Sequence, residues 1–145
     1  MDKVNESFQR TLAKKQFFLK IIEKPSEWHY KGKFAVSEKH MIDFGVSITK
    51  GQSKGIGQII YQNLAYCPDK ESRLAWLEFI NDLNRQLGIY YYFCLDEDGY
   101  VYMRHFRDVT TELEDFFNTI IQAPNLIRKV LVMFEERFGS RSVFK

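Results

Sequence analysis

Apolar residues recur along the chain at two spacings, and the switches between them predict its elements. Val4, Phe8, Leu12, Phe18 and Ile22 follow mostly three-to-four-residue steps with Lys14, Lys15 and Lys20 on other faces, which predicts an amphipathic helix within residues 1–24. Pro25 and Ser26 end it, and the period becomes two: Trp28, Tyr30, Phe34 and Val36 alternate with His29, Lys31, Lys33 and Ala35, a half-buried strand with Gly32 as its weak point. Ile42, Phe44, Val46 and Ile48 alternate with Asp43, Gly45, Ser47 and Thr49, so one face of the next strand is wholly apolar. After the turn at residues 50–55, the β-branched and aromatic run Ile56 to Tyr66 suits a third strand.

The helical period returns after Pro68, with Asp69 as the expected N-cap and Gly88 as the stop. Trp76, Phe79, Ile80, Leu83 and Leu87 make its buried stripe; Leu74 and Leu77 extend the apolar surface to a second side. Ile89 to Leu95 and Tyr100 to Arg107, separated by Asp96-Glu97-Asp98-Gly99, predict a hairpin. A turn of two or four residues places Ile89, Tyr91, Phe93 and Leu95 with Tyr100, Tyr102 and Phe106. Tyr90, Tyr92 and Cys94 then lie beside Val101, Met103 and His105, and both faces are apolar or aromatic. Thr111-Glu112-Leu113-Glu114 fits a capping box. The helix it opens buries Phe116, Phe117, Ile120 and Ile121, is kinked or interrupted at Pro124, and resumes through Leu126, Ile127, Val130, Leu131, Phe134 and Phe138 to Gly139. Residues 140–145 read as a tail. The expected fold is a single α+β domain over residues 1–145, a two-layer sandwich of order α-β-β-β-α-β-β-α with helices on one face of an antiparallel sheet.

Composition narrows the chemistry. With 45% apolar and 16% aromatic residues in 145, and few Gly or Pro, the chain is built to pack. The net charge of +2 provides no broad field for a polyanion, although residues 1–35 carry eight Lys/Arg against four Asp/Glu and residues 61–110 carry five against eight. The amino-terminal residues lack the pattern of a signal peptide, and no apolar run approaches the ~20 residues of a membrane span, so a cytoplasmic protein without membrane partner is expected. Cys67 and Cys94 are too few for a disulfide framework and predict two buried thiols.

No constellation for catalysis stands out. His29, His40 and His105 are isolated in sequence, which disfavours a metal site, and Asp96-Glu97-Asp98-Gly99 lacks the remaining ligands of a calcium loop. Gly51, Gly55 and Gly57 with Lys50 and Lys54 suggest an anion nest, but a strand rather than a helix follows. Ser47, Ser53 and Ser72 have no recognisable nucleophile elbow, and Cys67 before Pro68 has no identifiable base. The strip Tyr90, Tyr92, Arg104, His105 and Arg107 raises base stacking, against which stand Asp96, Glu97, Asp98 and Asp108. Surplus aromatic and Met surface is better suited to a protein interface, and the candidate interface residues are Leu74, Leu77, Tyr90, Tyr92 and Met103.

The element order, the segment Phe79-Ile80-Asn81-Asp82-Leu83-Asn84-Arg85-Gln86-Leu87, the aromatic strand after it and the Asp98-Gly99 turn resemble the YbjN-like family and the structurally similar type III secretion chaperones over residues 26–138. The resemblance implies the α+β sandwich, commonly a homodimer, and no nucleotide or metal cofactor. Secretion chaperones of this shape bind an extended client segment across apolar patches and sheet edges. The near-neutral charge departs from the acidic balance usual among them. The expected function is a non-enzymatic protein-binding module, chaperone- or adaptor-like. An immunity- or antitoxin-like inhibitor suits the small size equally, and a small-ligand sensor would show converging polar groups in a deep pocket.

Overall fold

A computed structural model describes residues 2–143. The elements are α1 (Lys3–Lys14), β1 (Lys20–Glu23), β2 (Glu27–Ser37), β3 (His40–Thr49), β4 (Lys54–Tyr66), α2 (Arg73–Leu87), β5 (Tyr92–Leu95), β6 (Tyr100–Thr110) and α3 (Glu114–Phe138), followed by a single 3-10 turn, Ser140–Ser142. The strands form one antiparallel sheet of order β1-β2-β3-β4-β6-β5, with the helices flanking it. The fold is thus α+β as expected, with one strand more than the sequence predicted.

The extra strand comes from the expected first helix, which ends at Lys14. Gln16 turns into the left-handed region at φ 54°, the Phe17 N–H donates to the Leu12 carbonyl at 2.9 Å, and the Gln16 N–H donates to that of Ala13 at 3.1 Å. These are the two bonds of a Schellman stop, made here without glycine. The stop swings Phe17 against Phe44 and Phe117, leaves Phe18 85% exposed and delivers Lys20–Glu23 as a strand paired to β2.

The chain divides into two compact units to which β2, β3, β4, β6 and α3 each contribute residues. The first comprises the residues up to Gly32, Phe44–Ile59 and Phe106–Gln122. Val4, Phe8 and Leu12, the buried stripe of α1, lie in its core, where Phe8 meets Tyr30 edge-on at 4.7 Å and Phe116 at 5.8 Å. Gly32 is a packing requirement: a Cβ there would stand 2.6 Å from the Phe44 ring and 2.7 Å from Leu19. Gly57 admits the Phe116 ring in the same way, at 2.8 Å. A polar cluster lies within this core. Asn5 is buried; its amide donates to the Asp2 carboxylate and to the carbonyls of Ile48 and Thr49, and its oxygen accepts from the Tyr30 hydroxyl at 2.7 Å. The Gly51 amide, one of the expected anion donors, is taken by Asp2 at 3.2 Å.

The second unit comprises Lys33–Asp43, Ile60–His105 and the residues from Ala123 onward. Trp76 stacks on Phe138 at 4.2 Å and on Phe134 at 5.4 Å, and Phe79 closes on both edge-on. Asp69 does not cap α2 directly. Its carboxylate takes the backbone and side-chain donors of Ser72, the residue that precedes the helix. Helix α3 is continuous through Pro124, so the expected interruption is absent. Nor does Thr111 cap it: β6 runs to Thr110, whose hydroxyl accepts the Glu112 N–H, and the first helical turn closes on the Leu113 carbonyl. Ile121, expected inside, is 46% exposed. The expected tail packs at Ser142 and Val143, with the Ser142 hydroxyl donating to the carbonyls of Phe134 and Gly139. Its last two positions, 144 and 145, lie outside the described residues.

Candidate functional site

The β5–β6 hairpin decides which side chains face solvent. Its turn holds three residues, Glu97, Asp98 and Gly99: Asp96 N–H donates to the Tyr100 carbonyl at 2.9 Å, Gly99 N–H donates to Asp96 at 3.2 Å, and Gly99 takes φ 93°. The Asp96 carboxylate accepts the amides of Asp98 and Tyr100, so this acidic cluster is a turn device. An odd turn shifts the pairing by one residue relative to a turn of two or four, and a one-residue shift exchanges the faces. The observed pairs are Leu95 with Val101, Cys94 with Tyr102, Phe93 with Met103 and Tyr92 with Arg104.

Met103 therefore falls beside Phe93 in the core, 0% exposed, and is no interface residue. Tyr102 and Arg104, in turn, join Tyr92 and Cys94 on the face turned away from the core, next to Tyr100. Tyr66 of β4 completes the row, its ring 4.8 Å from that of Tyr100. The Arg104 guanidinium lies 6.0 Å from the centre of the Tyr92 ring. The Tyr102 hydroxyl, hydrogen-bonded to the Cys94 thiol and partly desolvated, is pushed above its ordinary value and stays neutral at physiological pH. Cys94 is accordingly half-buried on this face, and only Cys67 is fully buried. The result is a band of tyrosines with one planar cation. Tyr and Arg dominate binding hot spots because each offers a large rigid surface together with a hydrogen-bonding end.

The other predicted residues do not converge on this band. Leu74 and Leu77 are 67% and 43% exposed, one turn apart on the outer side of α2. Tyr90 is exposed past the other end of that helix, which runs on for about 15 Å beyond Leu77 at 1.5 Å per residue. Its carbonyl accepts the Nδ1–H of His105 at 2.6 Å, and the His105 ring lies 5.7 Å from Tyr91, so the strip considered for base stacking is split between two faces.

Asn84 was not predicted. From α2 its amide donates to the Phe93 carbonyl at 3.0 Å and accepts the Phe93 N–H at 2.7 Å, pairing the backbone groups that Phe93 turns away from β6. At Phe93 the edge of this terminal strand is covered by a side chain that imitates a neighbouring strand. The available signal was an amide among the apolar positions of a helix, beside Leu83 and Leu87.

Each unit also carries a cleft of about 590 Å³. In the first, Asp2, Asn5 and Trp28 line it together with the Lys50–Glu23 pair at 2.6 Å. In the second, Val36, His40, Leu131, Val132 and Val143 contribute to the lining, and burial lowers the pKa of His40 and favours its neutral form. Among the described residues, no group of three His, Cys, Asp or Glu side chains is placed to hold a metal ion. Among them, too, no helix is long and apolar enough to cross a membrane. No family model and no curated protein matches the chain.

Proposed function

We propose that this chain is a non-enzymatic protein-binding module, chaperone- or adaptor-like and cytoplasmic, that holds a partner protein on the tyrosine–arginine face of β4, β6 and β5. The observation that carries this reading is the alignment of Tyr66, Tyr92, Tyr100, Tyr102 and Arg104 on one sheet face. Leu74 and Leu77 supply a second apolar contact suited to self-association as a homodimer. The likeness to YbjN-like proteins and secretion chaperones belongs to this proposal as well.

A tagged pull-down from the native cell tests it, with wild type beside Tyr102→Ala/Arg104→Ala and Leu74→Glu/Leu77→Glu. Loss of two hot-spot side chains should weaken capture of one stoichiometric protein by about thirtyfold or more, the equivalent of about 2 kcal/mol. Sedimentation should show the leucine variant as a monomer. Capture that both folded variants retain would end the reading.

A further inference from the structure

We infer that the outer edge of β1 accepts an extended, acidic segment of a partner protein as an added strand; this rests on the protein-binding reading and assigns the edge and the chemistry of the partner. The sheet has two terminal strands; α2 packs on β5, where Asn84 occupies the outward backbone groups of Phe93. At β1 the Lys24 N–H donates to the Glu27 carbonyl at 2.8 Å, so Lys24/Glu27, Ile22/His29 and Lys20/Lys31 are the hydrogen-bonded pairs with β2. By alternation, Ile21 and Glu23 direct their N–H and C=O groups outward, where an incoming backbone would pair with them. Exposed apolar side chains flank these groups, Phe18 at 85% and Ile21 at 43%.

Charge identifies the occupant. The register sets Lys20 directly opposite Lys31, and among the described residues neither ammonium has a carboxylate within 4.0 Å. Like charges in opposite positions destabilise a strand pair, and a carboxylate on an added strand beside Lys20 relieves the repulsion. A second copy cannot supply it. Two-fold antiparallel pairing aligns outward residues with outward residues, so an axis that keeps three of the four residues of β1 paired falls on Ile21 or Ile22. The first gathers both Lys20/Lys31 pairs on one face; the second sets Lys20 against the copy's Lys24. Edge lysines discourage pairing of like edges, and here they also select the sign of the segment that binds.

The test is fluorescence anisotropy with the full chain and three labelled peptides: alternating Glu and Val, alternating Lys and Val, and the acidic peptide with proline at every second position. The Glu/Val peptide should bind at least about tenfold more tightly than the others and weaken as salt rises. Ile21→Pro, which removes only an outward-facing donor, should reduce that binding at least about tenfold. Because proline also stiffens β1, Lys20→Glu/Lys31→Glu provides a second readout and should transfer the preference to the Lys/Val peptide. The proposal fails if the acidic peptide does not bind at millimolar concentration, binds Ile21→Pro as well as wild type, or keeps its preference after charge reversal. It also fails if wild type self-associates and Ile21→Pro does not. A captured partner that depends on Tyr102 and Arg104 but not on Ile21 would remove this edge and leave the binding reading standing.

Discussion

Asn5 and Tyr30 show how one buried amide can fasten a helix to a sheet. The Tyr30 hydroxyl donates to Asn5, and burial pushes its pKa up to about 12, so it remains a donor throughout the physiological range. Tyr30→Phe keeps the ring against Phe8 but leaves the buried Asn5 oxygen without that donor, at a cost of about 1–3 kcal/mol. Urea unfolding reads this directly, and an unchanged midpoint would mean that the bond contributes nothing net. Asp2 caps α1 and binds the Gly51 amide. Burial opposes its ionisation, but hydrogen bonds from the Asn5 side chain and from the amides of Gly51 and Asn5 outweigh burial and hold the carboxyl below the usual range. A depressed folded-state pKa stabilises the fold above the unfolded value near 3.9 and withdraws that support as pH falls through the folded value. Asp2→Ala should therefore cost about 1 kcal/mol at neutral pH, with the gap to wild type closing below about pH 4. Paired melts at pH 7 and pH 3 measure the closure; a gap that persists would assign the effect to packing.

At the scale of elements, the β5–β6 turn and the Asn84 seal decide what the sheet exposes. Gly99 stands at φ 93°, and a Cβ there would lie 2.6 Å from the Cys67 carbonyl oxygen. Gly99→Ala adds left-handed strain of about 1–2 kcal/mol to that clash and should lower the melting temperature accordingly. Removing the Asn84 amide leaves the Phe93 backbone groups without their side-chain partner. Asn84→Ala should destabilise by about 1–3 kcal/mol and introduce concentration-dependent association as the β5 edge opens. Analytical ultracentrifugation separates this from simple loss of stability, which would leave a monomer. These two devices differ in legibility. Asp98-Gly99 announces a turn, but its length depends on Gly99 entering the left-handed region, and the parity that follows puts Met103 in the core and sets Tyr102 on the face of Tyr92 and Arg104.

For the molecule as a whole, surface and core candidates separate by their response to charge. Leu74→Glu/Leu77→Glu places carboxylates where solvent reaches the monomer and should leave the monomer's stability within about 0.5 kcal/mol per site, whereas Met103→Glu buries a charge and should yield no folded product. Circular dichroism melts of the two proteins check the contrast, and a folded Met103→Glu protein would overturn the register assigned to the hairpin. The net charge of +2 hides an excess of eight Lys/Arg over four Asp/Glu in residues 1–35, the segment that contains β1. That bias agrees in sign with the acidic strand proposed for its edge.

Period and burial agree wherever one face of an element is wholly apolar. Ile42, Phe44, Val46 and Ile48 are all buried on β3, as are Trp76, Ile80 and Leu83 on α2, and their spacing alone announces both elements. Local chemistry also marked Gly88 as the end of α2 and Asp96 to Gly99 as a turn. The end of α1 at Gln16, the pairing of Lys20–Glu23 with β2, the face of every residue in β6 and the role of Asn84 required the tertiary structure. The physical reason is that periodicity records how residues alternate within an element. Which alternate set is covered depends on the parity of a turn and on partners far along the chain, and no local spacing encodes either.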